Sequence, residues 1–251
     1  MILRRLGNKK KLADKIIPHF PSHDIYIEPF FGAGGMFFNK PKARYNFCND
    51  LDSDVFNLFN VISENKNELK EKLALLIEHT DLFYTFKDAF YEDPVKKAVR
   101  FLYLSNMSLY GRMQTPGLSC NHSLAIMQSK IDETYKYIQD CKFTNYDFRK
   151  LFNNIAIRPG DKDDVFVYAD PPYVDTEGNY SGLTIEDHHE LIDVLKNTGY
   201  RFAVSEFDNS AVIDCANKKS LNIMVIGERR NIKNRRTEIL ITNYDSTSLF
   251  N

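Results

Sequence analysis

The sequence predicts an α/β fold: a Rossmann-like sheet, mostly parallel, with a C-terminal antiparallel hairpin and a small, mainly helical insertion. Three observations predict it. An alternating strand-like segment at 24–28 (DIYIE) runs straight into a glycine-rich turn at 29–35 (PFFGAGG). After residue 141, strand-like segments at 142–146, 164–169 and 200–205 occur with a helical segment at 184–197 between the last two. The chain then closes on two further strand-like segments, 220–227 and 237–243, joined by a polar, basic turn. Strands alternating with helices indicate a parallel sheet covered on both faces, and the final pair reads as a hairpin added to it.

Taken in order, residues 9–17 carry apolar side chains at helical spacing, ended by Pro18 and Pro21. Strand 24–28 and its glycine turn lead into a short helical start at 35–39, cut off by Pro41, and then a strand at 45–49 (YNFCN). Segment 54–62 places Val55, Phe56, Phe59 and Ile62 at helical offsets, and 63–79 is a charged amphipathic helix. Helix 94–104 opens on Pro94, a residue suited to a first turn. Residues 105–123, rich in Ser, Asn and Gly, read as loop or hairpin, and a helix follows at 123–138. The stretch 63–141 breaks the alternation. The chain therefore divides into a main domain, 1–62 with 142–251, and an inserted subdomain, 63–141.

The 251 residues are 43% apolar and 27% charged, ordinary values for a globular protein, and the net charge of −1 carries no global nucleic-acid signature. Any attraction to phosphate must come from local patches. Cys48, Cys120, Cys141 and Cys215 form no C-x-x-C pair, and the six histidines lack ligand spacing, so no metal is expected. The N-terminus has no signal-peptide pattern and no apolar run reaches membrane-spanning length, which predicts a cytoplasmic protein without a membrane partner.

Strand, glycine turn and helix open a nucleotide-binding unit, and Asp50 stands at the end of the next strand, where an acid can accept from ribose hydroxyls. The run Gly32-Ala33-Gly34-Gly35 lacks a glycine three residues beyond Gly34, which disfavours a dinucleotide and hence a dehydrogenase. No lysine followed by Ser or Thr is present to make a P-loop. A cofactor without pyrophosphate fits better, and S-adenosylmethionine is one. The alternative is a turn that serves only the fold.

Residues 165–173 (VFVYADPPY) form a buried strand ending in Asp170-Pro171-Pro172-Tyr173. Ligands of open parallel sheets bind outside the carboxyl ends of the strands. The prolines remove two donors and stiffen the chain, leaving the Asp170 carboxylate and the carbonyls of Asp170 and Pro171 as acceptors. Such acceptors suit an amino group with two donors, and Tyr173 offers a face on which a base could stack. Two accepted N–H bonds make the lone pair of an exocyclic adenine amine more available. The alternative is a plain acidic turn after a strand.

These motifs resemble the Dam-type adenine-N6 DNA methyltransferases, in which the cofactor motif comes first, a target-recognition region follows and D-P-P-Y comes last. The resemblance covers nearly the whole chain. R-L-G-N-K at 5–9 is similar to the family's N-terminal element, which implies that Arg5 and Lys9 reach the cofactor. I-E-P-F-F-G-A-G at 27–34 resembles its glycine motif and implies cofactor contacts at Glu28, Phe31, Gly32, Ala33 and Gly34. Asp50 then matches the ribose acid, Asp147 the acid that reaches the cofactor's adenine amine, and Asp170 to Tyr173 the catalytic motif; T-E-I-L-I-T-N-Y at 237–244 also has a familial look. Arg5 stands where the family commonly has an aromatic residue. The resemblance implies S-adenosylmethionine as cofactor, a flipped-out adenine in double-stranded DNA as substrate, 63–141 as the target-recognition subdomain, and leaves room for a cognate restriction endonuclease. RNA as substrate, or a catalytically silent nucleic-acid-binding module, stay open beside it.

For DNA contact, residues 229–236 (RRNIKNRR) put Arg229, Arg230, Lys233, Arg235 and Arg236 at the hairpin turn, a charge pattern suited to phosphates or to plain solvent. Asn106, Tyr110, Arg112 and Gln114 in the inserted region are candidate base readers, with Asn and Gln suited to adenine and Arg to guanine; the alternative for each is a hydrogen bond to the loop backbone.

Overall fold

Along each central strand, side chains alternate between two faces, and the sequence assigns each face its own chemistry. Tyr26, Phe166, Tyr168, Ala203 and Leu240 point one way into one buried cluster. Ile25, Ile27, Val165, Val167, Phe202, Val204, Ile239 and Ile241 point the other way into a second. A sheet buried on both faces follows, as the parallel arrangement requires. The computed structural model describes residues 1–5, 7–117, 124–174, 183–230 and 235–246.

Seven strands are found among these: β1 (Ile25–Glu28), β2 (Tyr45–Asn49), β3 (Cys141–Thr144), β4 (Val165–Ala169), β5 (Arg201–Phe207), β6 (Asn222–Arg230) and β7 (Arg235–Thr242). Their order is β3-β2-β1-β4-β5-β7-β6. The first five pair in parallel, and β7 lies antiparallel between β5 and β6. The fold class read from the sequence is thus observed: a Rossmann-like, mostly parallel sheet with a C-terminal antiparallel hairpin. From β1 the chain builds outward to β2 and β3, then returns to place β4 on the other side of β1. The order reverses between β1 and β4, which opens a crevice at their carboxyl ends.

The eight helices of the described residues are α1 (Ala13–Ile16), α2 (Ser53–Ala74), α3 (Thr80–Asp88), α4 (Pro94–Asn106), α5 (Leu124–Ile138), α6 (Phe148–Leu151), α7 (Ile185–Thr198) and α8 (Ser210–Lys218). Their starts follow capping chemistry. Asp52 caps α2, Asp93 caps α4 ahead of Pro94, and Thr184 with Asp187 makes a reciprocal capping box on α7. Helix α7 stops at Gly199, whose φ of 72° is the left-handed conformation that glycine adopts without strain. Among the described residues, no helix is long and apolar enough to cross a membrane.

Several elements differ from the sequence-based expectation. Segments 54–62 and 63–79 are one helix, α2, bent at Asn65 (φ −131°, ψ 32°), so a domain boundary at 62 falls inside it. Helices α2, α4 and α5 contribute Leu58, Leu102 and Ile131 to the same cluster as Tyr26 and Phe166, so the middle of the chain covers one face of the sheet. The expected helix at 9–17 is three short pieces, with 3-10 turns at Lys9–Lys11 and Ile17–His19 flanking α1. Helices α3 and α8 were not anticipated.

Asn49 fastens the crevice side of the sheet. Its amide nitrogen donates to Pro29 O and Tyr146 O, both at 2.9 Å, and its amide oxygen accepts from Thr144 Oγ1 at 2.8 Å and Tyr146 N at 2.9 Å. One buried side chain thereby ties the carboxyl ends of β1, β2 and β3. Asn49→Ala would strand several of these partners, and a loss of about 2–3 kcal/mol is expected, read as a lowered urea midpoint.

Candidate active site

The glycine turn begins where β1 ends. Phe31 N donates to Asn49 O at 2.9 Å, and Gly34 N donates back to Phe31 O at 2.8 Å. Gly32 (φ 54°) and Gly34 (φ 72°) both take left-handed backbone. Next door, at the end of β2, the Asp50 carboxylate accepts from Gly32 N at 2.6 Å and from Asp52 N at 2.9 Å. Burial raises the Asp50 pKa above the usual carboxylate value, opposed by the nearby Arg5 guanidinium and these two N–H donors. Arg5 itself pairs with Asp52 at 2.8 Å.

Gly35 has a steric role that the sequence spacing did not suggest. A Cβ there would lie 2.5 Å from Asn8 Oδ1 and 2.9 Å from Lys9 N. Only a bare backbone lets the N-terminal 3-10 turn pack this tightly, and that turn delivers Lys9 into the crevice. Lys9 is 4% exposed. Its ammonium lies 2.7 Å from Asp170 Oδ1, 3.6 Å from Glu238 Oε1 and 4.3 Å from the centre of the Tyr173 ring. Asp170 Oδ1, although close to this charge, receives no directed hydrogen bond.

Two buried acids support the segment 170–174 from the neighbouring strands. Glu206 on β5 accepts from Val174 N at 3.3 Å and Phe207 N at 2.8 Å. Glu238 on β7 accepts from the Tyr173 hydroxyl. Phe207 meets the Tyr173 ring edge-on at 4.5 Å, and the Arg236 guanidinium lies 5.2 Å from the centre of the Phe207 ring. At the end of β1, Glu28 accepts from Tyr26 Oη at 2.8 Å. Burial, reinforced by the Asp170 charge, pushes Glu28 and Glu206 up to about 8, so both are largely neutral at pH 7. With Glu28 and Glu206 neutral, the carboxylates of Asp50 and Asp170 stand at the crevice beside Lys9 and Arg5, acceptors that fit a ligand bearing hydroxyl and amino donors.

The sequence-predicted residues fare unequally. Gly32, Ala33, Gly34, Asp50, Asp170, Pro171, Pro172 and Tyr173 come together at the carboxyl ends of β1, β2 and β4, with Arg5 and Lys9 beside them. Phe31 does not face a ligand: its ring is buried edge-on against Phe37, Phe38, Phe59 and Phe143, and the turn uses its amide and carbonyl. Glu28 lies 2% exposed beneath the turn. Tyr173 does not present an open face, because Lys9 covers the ring and Phe207 meets it edge-on. Asp147 caps α6 and pairs with Arg149, which also reaches Asp187 and Glu190 at the start of α7.

Among the proposed base readers, Asn106 is a correction. It is buried in the last turn of α4, and its amide donates to Ile2 O at 3.1 Å and Leu102 O at 3.0 Å. Tyr110 and Arg112 are exposed on a tight loop closed by a Ser108–Pro116 bridge. Tyr110 and Met113 both have φ of 57°, unusual for residues with side chains. Lys233 lies outside the described residues, and only the backbones of Arg229, Arg230 and Arg235 are described. Sequence reasoning missed Asn49, Gly35, Glu206 and Glu238; the last two carried a usable signal, an acid at the edge of a strand's apolar run.

A family model described as D12 class N6 adenine-specific DNA methyltransferase matches residues 6–232. The DNA adenine methylase of Escherichia coli is 33% identical over 115 residues, 43% of this chain and 41% of that protein. The one from Salmonella typhi is 29% identical over 188 residues, 68% of this chain and 64% of that protein. The one from Haemophilus influenzae is 28% identical over 217 residues, 78% of this chain and 73% of that protein. The chain therefore spans about two fifths of the length of the Escherichia coli protein and more of the others.

Two predictions follow from this geometry. Gly35→Ala would force Lys9 and Asn8 outward, and a stability loss of about 1–3 kcal/mol is expected from urea unfolding. Glu28 and Glu206 keep their protons to about pH 8 when folded but release them near 4.5 when unfolded. The folded chain then holds the extra protons, so their contribution to stability falls as pH rises from about 4.5 to 8. His23 and His188, lowered by burial to about 4, act with the opposite sign below 6.5. The decline in urea midpoint between pH 6.5 and 8 should therefore be smaller in Glu206→Gln than in the unaltered chain; an equal decline would mean that Glu206 is already ionised.

Proposed function

This chain belongs to the D12 class of N6 adenine-specific DNA methyltransferases, and from that premise we propose that it moves a methyl group from S-adenosylmethionine to the N6 amine of adenine in double-stranded DNA. The observation that carries the proposal is the placement of Asp170, its Oδ1 2.7 Å from the Lys9 ammonium, at the switch point beside the Gly32–Asp50 turn. When bound, the cofactor supplies a methyl group already activated by a positive sulfonium. Asp50 with the bare backbone at Gly32 suits a ribose approaching the turn. A Cβ at Gly32 would meet nothing within 4 Å, so the turn is open on that side.

The chain's residues then have a limited task. Asp170 and the carbonyls of Asp170 and Pro171 accept the two N–H bonds of the amine and hold its lone pair in line with the methyl carbon. With the cofactor bound, these acceptors would aim the amine nitrogen at the methyl group, and the proton lost on methylation would pass by way of the Asp170 carboxylate to solvent. Positioning of this kind supplies several kcal/mol of the barrier. The base must first leave the duplex stack, at a cost of a few kcal/mol. Lys9 must shift from the Tyr173 ring and Asp170 before the base can occupy that place.

The stretch 63–141 supports target recognition through its exposed loop at 108–116, where Tyr110 and Arg112 stand as base or phosphate contacts. The basic run of Arg229, Arg230, Lys233, Arg235 and Arg236 suits phosphates by its charge. Asp147 fits an acceptor for the cofactor's adenine amine, with Arg149 fixing its orientation.

The test is transfer of labelled methyl from S-adenosylmethionine to unmethylated DNA and to RNA in parallel, with the products digested to nucleosides. N6-methyladenine in DNA is expected. Label confined to RNA, or to cytosine, would contradict the proposal. Asp170→Ala should lower transfer by about 10²–10³-fold or more.

A further inference from the structure

Glu238 is hard to explain as packing. It is completely buried on β7 and is followed by Ile239, Leu240 and Ile241. A buried acid costs several kcal/mol unless its charge is compensated, and an apolar residue of similar volume commonly serves stability as well or better. Two of its contacts bear on the reacting segment, one directly and one through Lys9. The Tyr173 hydroxyl donates to Oε1, and the same oxygen lies 3.6 Å from the Lys9 ammonium. The β5–β7 register sets Glu238 opposite Phe207, whose ring meets Tyr173 edge-on. Glu238 and Phe207 together make a seat for Tyr173.

Lys9 presents the complementary problem. In the ligand-free chain its ammonium is 2.7 Å from Asp170, the acceptor that the amine needs, and it lies over the ring of Tyr173. A buried ammonium cannot leave one carboxylate without another to receive it, because an unpaired charge in the interior is strongly disfavoured. Glu238 is the second carboxylate already in contact range, about 1 Å farther than Asp170. The flexible four-carbon stem of lysine allows such a change of partner.

We propose that Glu238 is a positioning residue for methyl transfer, which anchors the Tyr173 hydroxyl and receives Lys9 when the substrate amine takes its place at Asp170. The inference rests on the reading of Asp170 as the amine acceptor. Glu238 itself touches neither substrate nor cofactor; it acts through Lys9 and Tyr173.

The test compares single-turnover methyl transfer to DNA by the unaltered enzyme, Glu238→Gln, Lys9→Met and the double variant, with the KM for S-adenosylmethionine measured for each. Glu238→Gln keeps an acceptor for the Tyr173 hydroxyl and removes only the charge. Its transfer rate should fall at least about tenfold while the KM for the cofactor stays within about threefold. In the Lys9→Met background the same substitution should change the rate less than about threefold, because residues acting through one ion pair are non-additive. An unchanged rate in Glu238→Gln, or fully additive losses, would overturn the role. Should Glu238→Gln not fold, Tyr173→Phe severs the hydroxyl contact alone. A lowered rate at unchanged cofactor KM then supports the seat, and an unaltered rate overturns it. No transfer to DNA adenine by the unaltered enzyme would instead sink the parent reading, which separates the two failures.

Discussion

The burial of one ammonium among carboxylates at the floor of the crevice constrains everything around it. Lys9 is nearly inaccessible, yet it sits on the N-terminal segment, far in sequence from Asp170 and Glu238. For those charges to meet, three separate parts of the chain must converge on the carboxyl ends of the sheet. The turn at 8–10 must lie flat against Gly35, β4 must end beside β1, and β7 must insert next to β5. Each condition is a backbone condition, and the side-chain chemistry follows from it.

The same N-terminal segment reaches the other end of the candidate interface. Arg4 O accepts from Ser105 Oγ at 2.5 Å, Arg4 N donates to that hydroxyl at 3.2 Å, and a Cβ on Gly111 would lie 2.5 Å from Arg4 O. Arg4 thus meets the base of the loop at 108–116, while Lys9 of the same terminal segment reaches the catalytic floor.

Much of the fold was legible because the sheet obeys a strict alternation and the helices carry ordinary caps. The glycine turn, Asp50 and Asp170-Pro171-Pro172-Tyr173 were legible because turn chemistry and strand-end acids leave a local signature. What was not legible depends on tertiary approach. Phe31 sits in the motif, but its ring turns into an aromatic cluster supplied by residues 37, 38, 59 and 143. Asn106 has the right chemistry for a base, but it is consumed by the carbonyls of Ile2 and Leu102. The need for Gly35 comes from the close approach of Asn8 and Lys9, which no local pattern encodes. The join of two helical segments into α2 was hidden because charge composition changes at residue 63 while the backbone continues through a bend at Asn65.

The central claim is that Asp170, released by Lys9, accepts the N6 amine of an extruded adenine. A crystal structure with an adenine-containing duplex and a non-reactive, positively charged analogue of S-adenosylmethionine tests it most directly. The account predicts an adenine amine within hydrogen-bond distance of Asp170, with the Lys9 ammonium moved onto Glu238. A complex in which Lys9 still holds Asp170 and the extruded base lies elsewhere would contradict it.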